Sequence, residues 1–229
     1  MDIFTEYLGE IMKSIVLLHT IKNVLESFEP LLREVLAQDV KVHNILDEFL
    51  VTDVTERGEF TATNHQRLMN DLVSAQLTGA DLIVVTCSSL TPYVVQARPF
   101  LSPRIVAIDD AMTARAVQLG RRIAVLATAS TTVAPTVRKI EADAATAGRE
   151  VEVASQLCTD AIAALKGGDR ATHDRLVLDM VRKAHGADVI VLAQASMAHL
   201  QDAAQTVAGD TPVLTSPRLC CESVKALLG

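Results

Sequence analysis

The sequence predicts an α/β protein of two pseudo-symmetric lobes, each a four-stranded parallel sheet flanked by helices. Three observations predict it: short Val/Ile/Leu runs alternate with longer helical patterns, none of those runs exceeds the length of a strand, and the second half of the chain repeats the first. A parallel pair needs a crossover connection, and the helix that makes it covers a face of the sheet.

The strand-like runs are Ser14 to His19, Val40 to Leu46, Leu82 to Thr86, Arg104 to Ile108, Arg122 to Ala127, Val151 to Ala154, Val189 to Ala193 and Val213 to Thr215. Helical patterns lie between and after them, at Val24 to Leu36, Asn64 to Leu77, Pro92 to Arg98, Ala111 to Leu119, Val133 to Ala147, Asp169 to His185, Ala198 to Val207 and Pro217 to Leu228. Gly79 to Leu90 parallels Gly186 to Met197 at an offset of 107 positions, Ser14 to Thr20 parallels Arg122 to Thr128 at 108, and Ile105 to Ile108 parallels Pro212 to Thr215 at 107. Any two buried strands share Val, Ile and Leu, so one match would mean little. Three matches in chain order at nearly equal offsets indicate a duplicated unit.

Composition excludes several classes. With 49% apolar and 21% charged residues the chain belongs among packed globular proteins. A net charge of -7 without any Lys/Arg cluster excludes a nucleic-acid partner, because phosphate neutralisation needs a concentrated basic face. No apolar run has the length of a membrane span, and acidic Asp2, Glu6 and Glu10 stand where a signal peptide carries basic residues, so cytoplasmic residence without membrane contact is expected. Cys87, Cys158, Cys220 and Cys221 fit neither a disulfide framework nor a zinc spacing; reduced thiols and no metal are expected. Thr20-Ile21-Lys22-Asn23 follows the first strand in place of a glycine-rich phosphate loop, which excludes a nucleotide cofactor.

Parallel sheets bind ligands beyond the carboxyl ends of their strands. Those loops read His19-Thr20, Cys87-Ser88-Ser89, Asp109-Asp110, Thr128 to Thr132, Gln194-Ala195-Ser196 and Thr215-Ser216. Cys87 ends a strand and precedes a helix expected to open at Thr91-Pro92, with Thr91 as cap; the dipole of that helix would lower the thiol pKa towards neutrality. Ser88, Ser89, Thr128, Ser130, Thr131, Ser196 and Ser216, with the N–H groups beside them, suit a small anionic carboxylate, and His19 and Thr20 are placed to join them. Cys158, Cys220 and Cys221 fall in or near helices, away from the strand ends, and read as structural. His65, His173, His185 and His199 read as solvated helix residues.

Val84-Val85-Thr86-Cys87-Ser88-Ser89 after one inner strand, and Val191-Leu192-Ala193-Gln194-Ala195-Ser196-Met197 at the equivalent place, resemble the aspartate/glutamate/hydantoin racemase superfamily. The resemblance runs from Met12-Lys13-Ser14-Ile15-Val16 onward. It implies a first lobe of residues 12–109 with 217–229, a second of 110–216, and an N-terminal extension of residues 1–11. It also implies an active site between the lobes, no cofactor, and a homodimer. In the family two thiols at equivalent strand ends face the substrate α-carbon from opposite sides. Cys87 matches the first, the carboxylate-binding role falls on Ser88 and Ser89, and the Thr-rich loop of the other lobe maps onto Thr128, Ser130 and Thr131. Gln194 stands where the second thiol belongs, and an amide has no useful pKa for taking a proton from carbon; it can instead donate a hydrogen bond to an enediolate oxygen. The expected activity is racemisation or isomerisation of an amino acid or hydantoin-like acid. The alternatives are a cofactor-free decarboxylase or lyase using Cys87 as proton donor, and a non-catalytic small-acid binding protein.

Overall fold

The computed structural model describes residues 12–229, so the expected extension at 1–11 lies outside the described residues. Strands β1 (Ser14–His19), β2 (Lys41–Leu46), β3 (Leu82–Val85) and β4 (Arg104–Ala107) form one sheet in the order β2-β1-β3-β4. Strands β5 (Arg122–Ala127), β6 (Glu152–Leu157), β7 (Val189–Leu192) and β8 (Val213–Thr215) form a second in the order β6-β5-β7-β8. Every pairing is parallel, and the second sheet repeats the topology of the first, as the sequence predicts.

The inner strands are buried on both faces, which is why they read as unbroken Val/Ile/Leu runs. Alternate residues of β1 and β3 split between two cores. Val16, Leu18, Ile83 and Val85 pack with α3 (Ala62–Leu77) and α4 (Thr91–Ala97), whereas Ile15, Leu17, Leu82 and Val84 pack with α1 (Lys22–Leu36) and α10 (Ser216–Leu228). The second sheet is built the same way. Ala124, Leu126, Ile190 and Leu192 face α8 (Arg170–Lys183) and α9 (Gln201–Ala208); Ile123, Val125, Val189 and Val191 face α5 (Asp110–Leu119) and α6 (Ser130–Thr146).

Two helices lie outside the sequence expectation: α2 (Phe49–Arg57) and α7 (Thr159–Lys166). The first carries Val51, Thr52, Val54 and Thr55, β-branched residues that disfavour helix, and it forms where Leu50 is buried against the first core. The second is only eight residues long. Strand β6 starts one residue later and runs three residues further than expected because, as an edge strand, it is largely exposed and lacks a continuous apolar signature.

The duplication is in register with one slip. Ile15 pairs Leu82 and Ile123 pairs Val189, reproducing the sequence offsets of the inner strands. Ile83 pairs Ile105, however, while Ile190 pairs Val213, so β8 is displaced by one residue from the expected match. Pro212 lacks an N–H for the ladder and stands just outside β8, where its carbonyl accepts from the Ile190 N–H (2.8 Å).

Matching aspartates brace the other ends of the sheets. Asp188 accepts from the N–H groups of Arg121 (2.9 Å) and Arg122 (2.8 Å), and Asp81 accepts from that of Ser14 (2.8 Å). Gly120 makes the Asp188 brace possible, since a Cβ there would collide with the Asp188 Cβ. Gly120→Ala should therefore lower stability by about 1–3 kcal/mol through overpacking. Guanidinium unfolding checks this; a wild-type midpoint would mean that the turn into β5 shifts freely.

Candidate active site

Two residues beyond the shared register of β1, β3 and β4, the chain places Thr20, Cys87 and Asp109 side by side. The pairs Leu18–Val85 and Val85–Ala107 set this row, and the bonds Thr86 N–H to the Leu18 carbonyl and Ile108 N–H to the Val85 carbonyl, both 2.9 Å, continue it. Adjacent strands stand about 4.8 Å apart, so Cys87 has a hydroxyl residue on one side and a carboxyl residue on the other. In the second sheet the same construction sets Thr128 beside Gln194, and the row has no third member there, because β8 ends at Thr215 and the chain enters α10 at Ser216.

The thiol does not behave as the helix-dipole argument expects. Burial pushes the Cys87 pKa up; the Thr20 hydroxyl and the N–H groups of Ser89 and Leu90 pull it down, and the charge of Asp109 adds to the rise. Cys87 keeps some accessible surface, but it packs against the first core, and desolvation wins. A 3-10 turn, Ser88–Leu90, separates it from α4. Thr91 is the first residue of α4 rather than its cap, and its hydroxyl donates to Asp109 Oδ1 (2.6 Å).

Asp109 is the site residue that the sequence reading passed over. It is fully buried, its Oδ2 has no hydrogen-bond partner, and burial raises its pKa from 3.8 to about 6. The signal was its place in a strand-end loop, in the row of Cys87. Ser216 Oγ is likewise buried without a partner, and Thr20 Oγ1 has none apart from the Cys87 sulfur beside it. A buried polar atom left so costs about 1–3 kcal/mol, and these three oxygens all belong to strand-end residues.

Gln194 is held by three donors. Its Oε1 accepts from the Thr128 N–H (2.6 Å), the Thr128 hydroxyl (3.0 Å) and the Ala129 N–H (3.1 Å). Two of these are backbone N–H groups that can only donate, so the amide oxygen must face them and the NH2 must point away. Thr128 itself is buried and committed to this contact, which removes it from the expected substrate-binding set.

His19 is also corrected. It is completely buried, its Nε2 meets Asn44 Oδ1 (3.0 Å) and its Nδ1 meets the Thr86 hydroxyl (2.8 Å). The Asn44 amide nitrogen donates to Glu29 (2.6 Å), which fixes its oxygen as the acceptor and the His19 Nε2 as donor. Burial lowers the imidazole pKa, so a neutral ring tethers the residue before Cys87 instead of meeting a ligand. Ser88 is buried too and donates to the Ala193 carbonyl (3.2 Å), tying the Cys87 loop to the end of β7.

One cavity of about 180 Å³ brings predicted residues of both halves together: Cys87 and Ser89 from the first, Ser130 and Thr131 from the first turn of α6 in the second. Leu50, Val54, Phe60, Tyr93, Ala134, Pro135 and Arg138 are among its other walls. Gln194, Ser196 and Ser216 lie outside its lining.

The other cysteines and histidines divide. Cys220 and Cys221 are buried in α10 with raised pKa values, as structural thiols should be. Cys158 follows β6 directly, so it does occupy a strand end, where it packs against the second half's core. His173 is buried rather than solvated. Asp174 Oδ1 meets His173 Nδ1 (2.7 Å) and His199 Nε2 (2.8 Å), while His199 Nδ1 meets the Ser196 carbonyl (3.0 Å). The ligand atoms of this trio lie within 4.8 Å of one another, the one such group among the described residues with the spacing of a metal site. No described helix is long and apolar enough to cross a membrane.

A family model described as Asp/Glu/Hydantoin racemase matches residues 19–224. Among solved structures the chain is similar to a Yersinia pestis protein assigned to the Asp/Glu racemases, with TM-score 0.73 and 17% identity over 94% of this chain and 99% of that one. It is also similar to allantoin racemase from Klebsiella pneumoniae (TM-score 0.69, 16% identity, 94% and 87% covered) and glutamate racemase from Aquifex pyrophilus (TM-score 0.64, 16% identity, 94% and 84% covered). At such identities the likeness is one of fold. No curated protein matches the chain by sequence.

The raised pKa of Asp109 sets a pH dependence. Its protonated form favours the native state, a contribution fully present below about pH 4 and lost as pH rises through about 6. Asp109→Asn cannot ionise. Its stability relative to wild type should rise between pH 4 and pH 7, by up to about 3 kcal/mol at 1.4 kcal/mol per pKa unit. Denaturant titrations at the two pH values measure it, and an unchanged difference would place the Asp109 carboxyl in a solvated setting.

Proposed function

Because the chain belongs to the Asp/Glu/hydantoin racemase family, we propose that it is a cofactor-independent racemase or isomerase of a small carboxylate or hydantoin-like acid, with Cys87 moving a proton at the carbon beside the carbonyl. The observation that carries this reading is the shared cavity, lined by Cys87 and by the Ser130–Thr131 turn of the opposite half. The N-terminus of α6 supplies unpaired N–H groups and hydroxyls for an anion, and the N–H groups of Ser89 and Leu90 lie beside the sulfur.

Burial favours the protonated thiol, the form that delivers a proton to a carbanion. To take a proton instead, Cys87 must first lose its own. Asp109, adjacent in the strand-end row and ionised at neutral pH, is the neighbouring base for that step. Gln194 supports the enediolate as a donor: its oxygen is occupied by Thr128 and Ala129, so only its NH2 remains to offer. Such a contact is worth up to a few kcal/mol where negative charge develops.

A second reading is favoured by the same two features. A protonated thiol on one face and an amide in place of the second thiol also suit a decarboxylase or lyase that protonates its product from one side only.

Incubation of the protein with candidate acids in deuterated water separates the readings. Racemisation exchanges the α-hydrogen with conservation of mass balance, whereas decarboxylation releases carbon dioxide and labels the product once. Cys87→Ser should reduce either activity at least 1,000-fold, and full retention would remove Cys87 from the mechanism. Gln194→Glu keeps the acceptor oxygen for Thr128 and Ala129 but deletes the donor. It should fold with near wild-type stability and lose about 100-fold in turnover, the scale typical of one missing oxyanion donor. Unimpaired turnover would deny the amide any part in charge stabilisation.

A further inference from the structure

We propose that the cavity beside Cys87 is a side-chain subsite for an apolar or aromatic substituent. The substrates would then be acids or hydantoins bearing a hydrophobic group, rather than dicarboxylates such as aspartate or glutamate. The proposal rests on the reading of Cys87 as the proton-transfer group and adds what the reacting carbon carries.

The cavity has three hydrocarbon walls. Leu50 and Val54 of α2 form the first, Phe60 and Tyr93 the second, and Ala134 and Pro135 of α6 the third. The second wall is rigid: the rings of Phe60 and Tyr93 stack with centroids 3.7 Å apart and planes 12° from parallel, and His65 packs edge-on against both, at 4.8 and 4.9 Å. An aromatic surface pre-positioned in this way loses little side-chain freedom when a ligand ring slides against it.

Volume and charge point the same way. An apolar cavity of about 150 Å³ takes up benzene in an unrelated protein, and this one measures about 180 Å³. A distal carboxylate placed here would exchange hydration for hydrocarbon, a desolvation that needs a dedicated cation to offset it. The cation on the lining is Arg138, three residues beyond Pro135 and so about 4.5 Å further along the helix axis; it is exposed, and Glu59 lines the same cavity with the opposite charge. Such a rim gives no net preference for an anionic side chain. The hydroxyls that line the subsite, Ser89, Ser130 and Thr131, and the Cys87 thiol are the groups left for the common head group.

Calorimetric titration of the Cys87→Ser protein with two matched pairs tests the subsite without turnover: phenylalanine against aspartate, and 5-benzylhydantoin against hydantoin-5-acetate. Within each pair the head group is constant and only the side chain changes. The benzyl member should bind at least tenfold tighter in at least one pair. Ala134→Trp, a change on an exposed face of α6 that fills the slot, should remove that preference while leaving the melting temperature within a few degrees of the parent. Equal or tighter binding of the carboxymethyl members, no binding by either benzyl compound, or a benzyl preference that survives Ala134→Trp would each overturn the subsite. The chemistry is scored separately by deuterium incorporation with the wild-type protein. A bound benzyl compound that fails to exchange would count against Cys87 as the proton-transfer group and leave the subsite standing.

Discussion

The lateral register of parallel strands is the constraint on which the site depends. Each inner strand is sealed on both faces by helices, so no polar side chain can enter until the strand ends. All strands of a sheet run the same way, and their first free residues therefore fall into one row. In the first sheet that row is Thr20, Cys87, Asp109; in the second it is Thr128 and Gln194, since the chain turns into α10 directly after β8. The threonines repeat and the other two positions do not. The duplicated backbone thus carries an unequal pair of half-sites: one has a thiol and an acid, the other an amide and no acid.

The inequality has an electrostatic consequence. Cys87 and Asp109 are neighbours in a poorly solvated place, and burial raises both pKa values. Their charges oppose one another, so ionisation of the acid makes ionisation of the thiol harder. The pair gives up its first proton from Asp109 and holds the second on sulfur. The other half cannot reproduce this arrangement, because Gln194 has no proton to exchange.

The sheets were legible in the sequence because burial on both faces leaves a one-letter-code signature, and because the duplication repeats it. The slip of β8 was not legible, since an apolar match is indifferent to one residue of register while the backbone geometry around Pro212 is not. Helix α2 was hidden by its β-branched residues; its helical form comes from the packing of Leu50 and not from local preference. Which residues close the strands can be read from the sequence, but their individual orientations depend on contacts between distant segments. His19 turns inward to Asn44 and Thr86, and Thr128 turns to Gln194. The apolar wall of the cavity is assembled from α2, the segment before α3, α4 and α6, and no local pattern announces that Phe60 will stack on Tyr93.

Gln194 also constrains where an anion can be held. At a strand end followed by a helix, free backbone N–H groups are the natural carboxylate donors, and in the second half two of them, on Thr128 and Ala129, are already spent on the amide oxygen. A cysteine at position 194 would leave those N–H groups open. On the proposed function, the carboxylate must therefore move towards the donors that remain, at Ser130 and Thr131 on one side and at Ser89 on the other, since the Leu90 N–H is spent on the Cys87 carbonyl. Once the amide occupies one anion cradle, the room left beside the sulfur is the slot whose walls include Leu50, Val54, Phe60, Tyr93, Ala134 and Pro135.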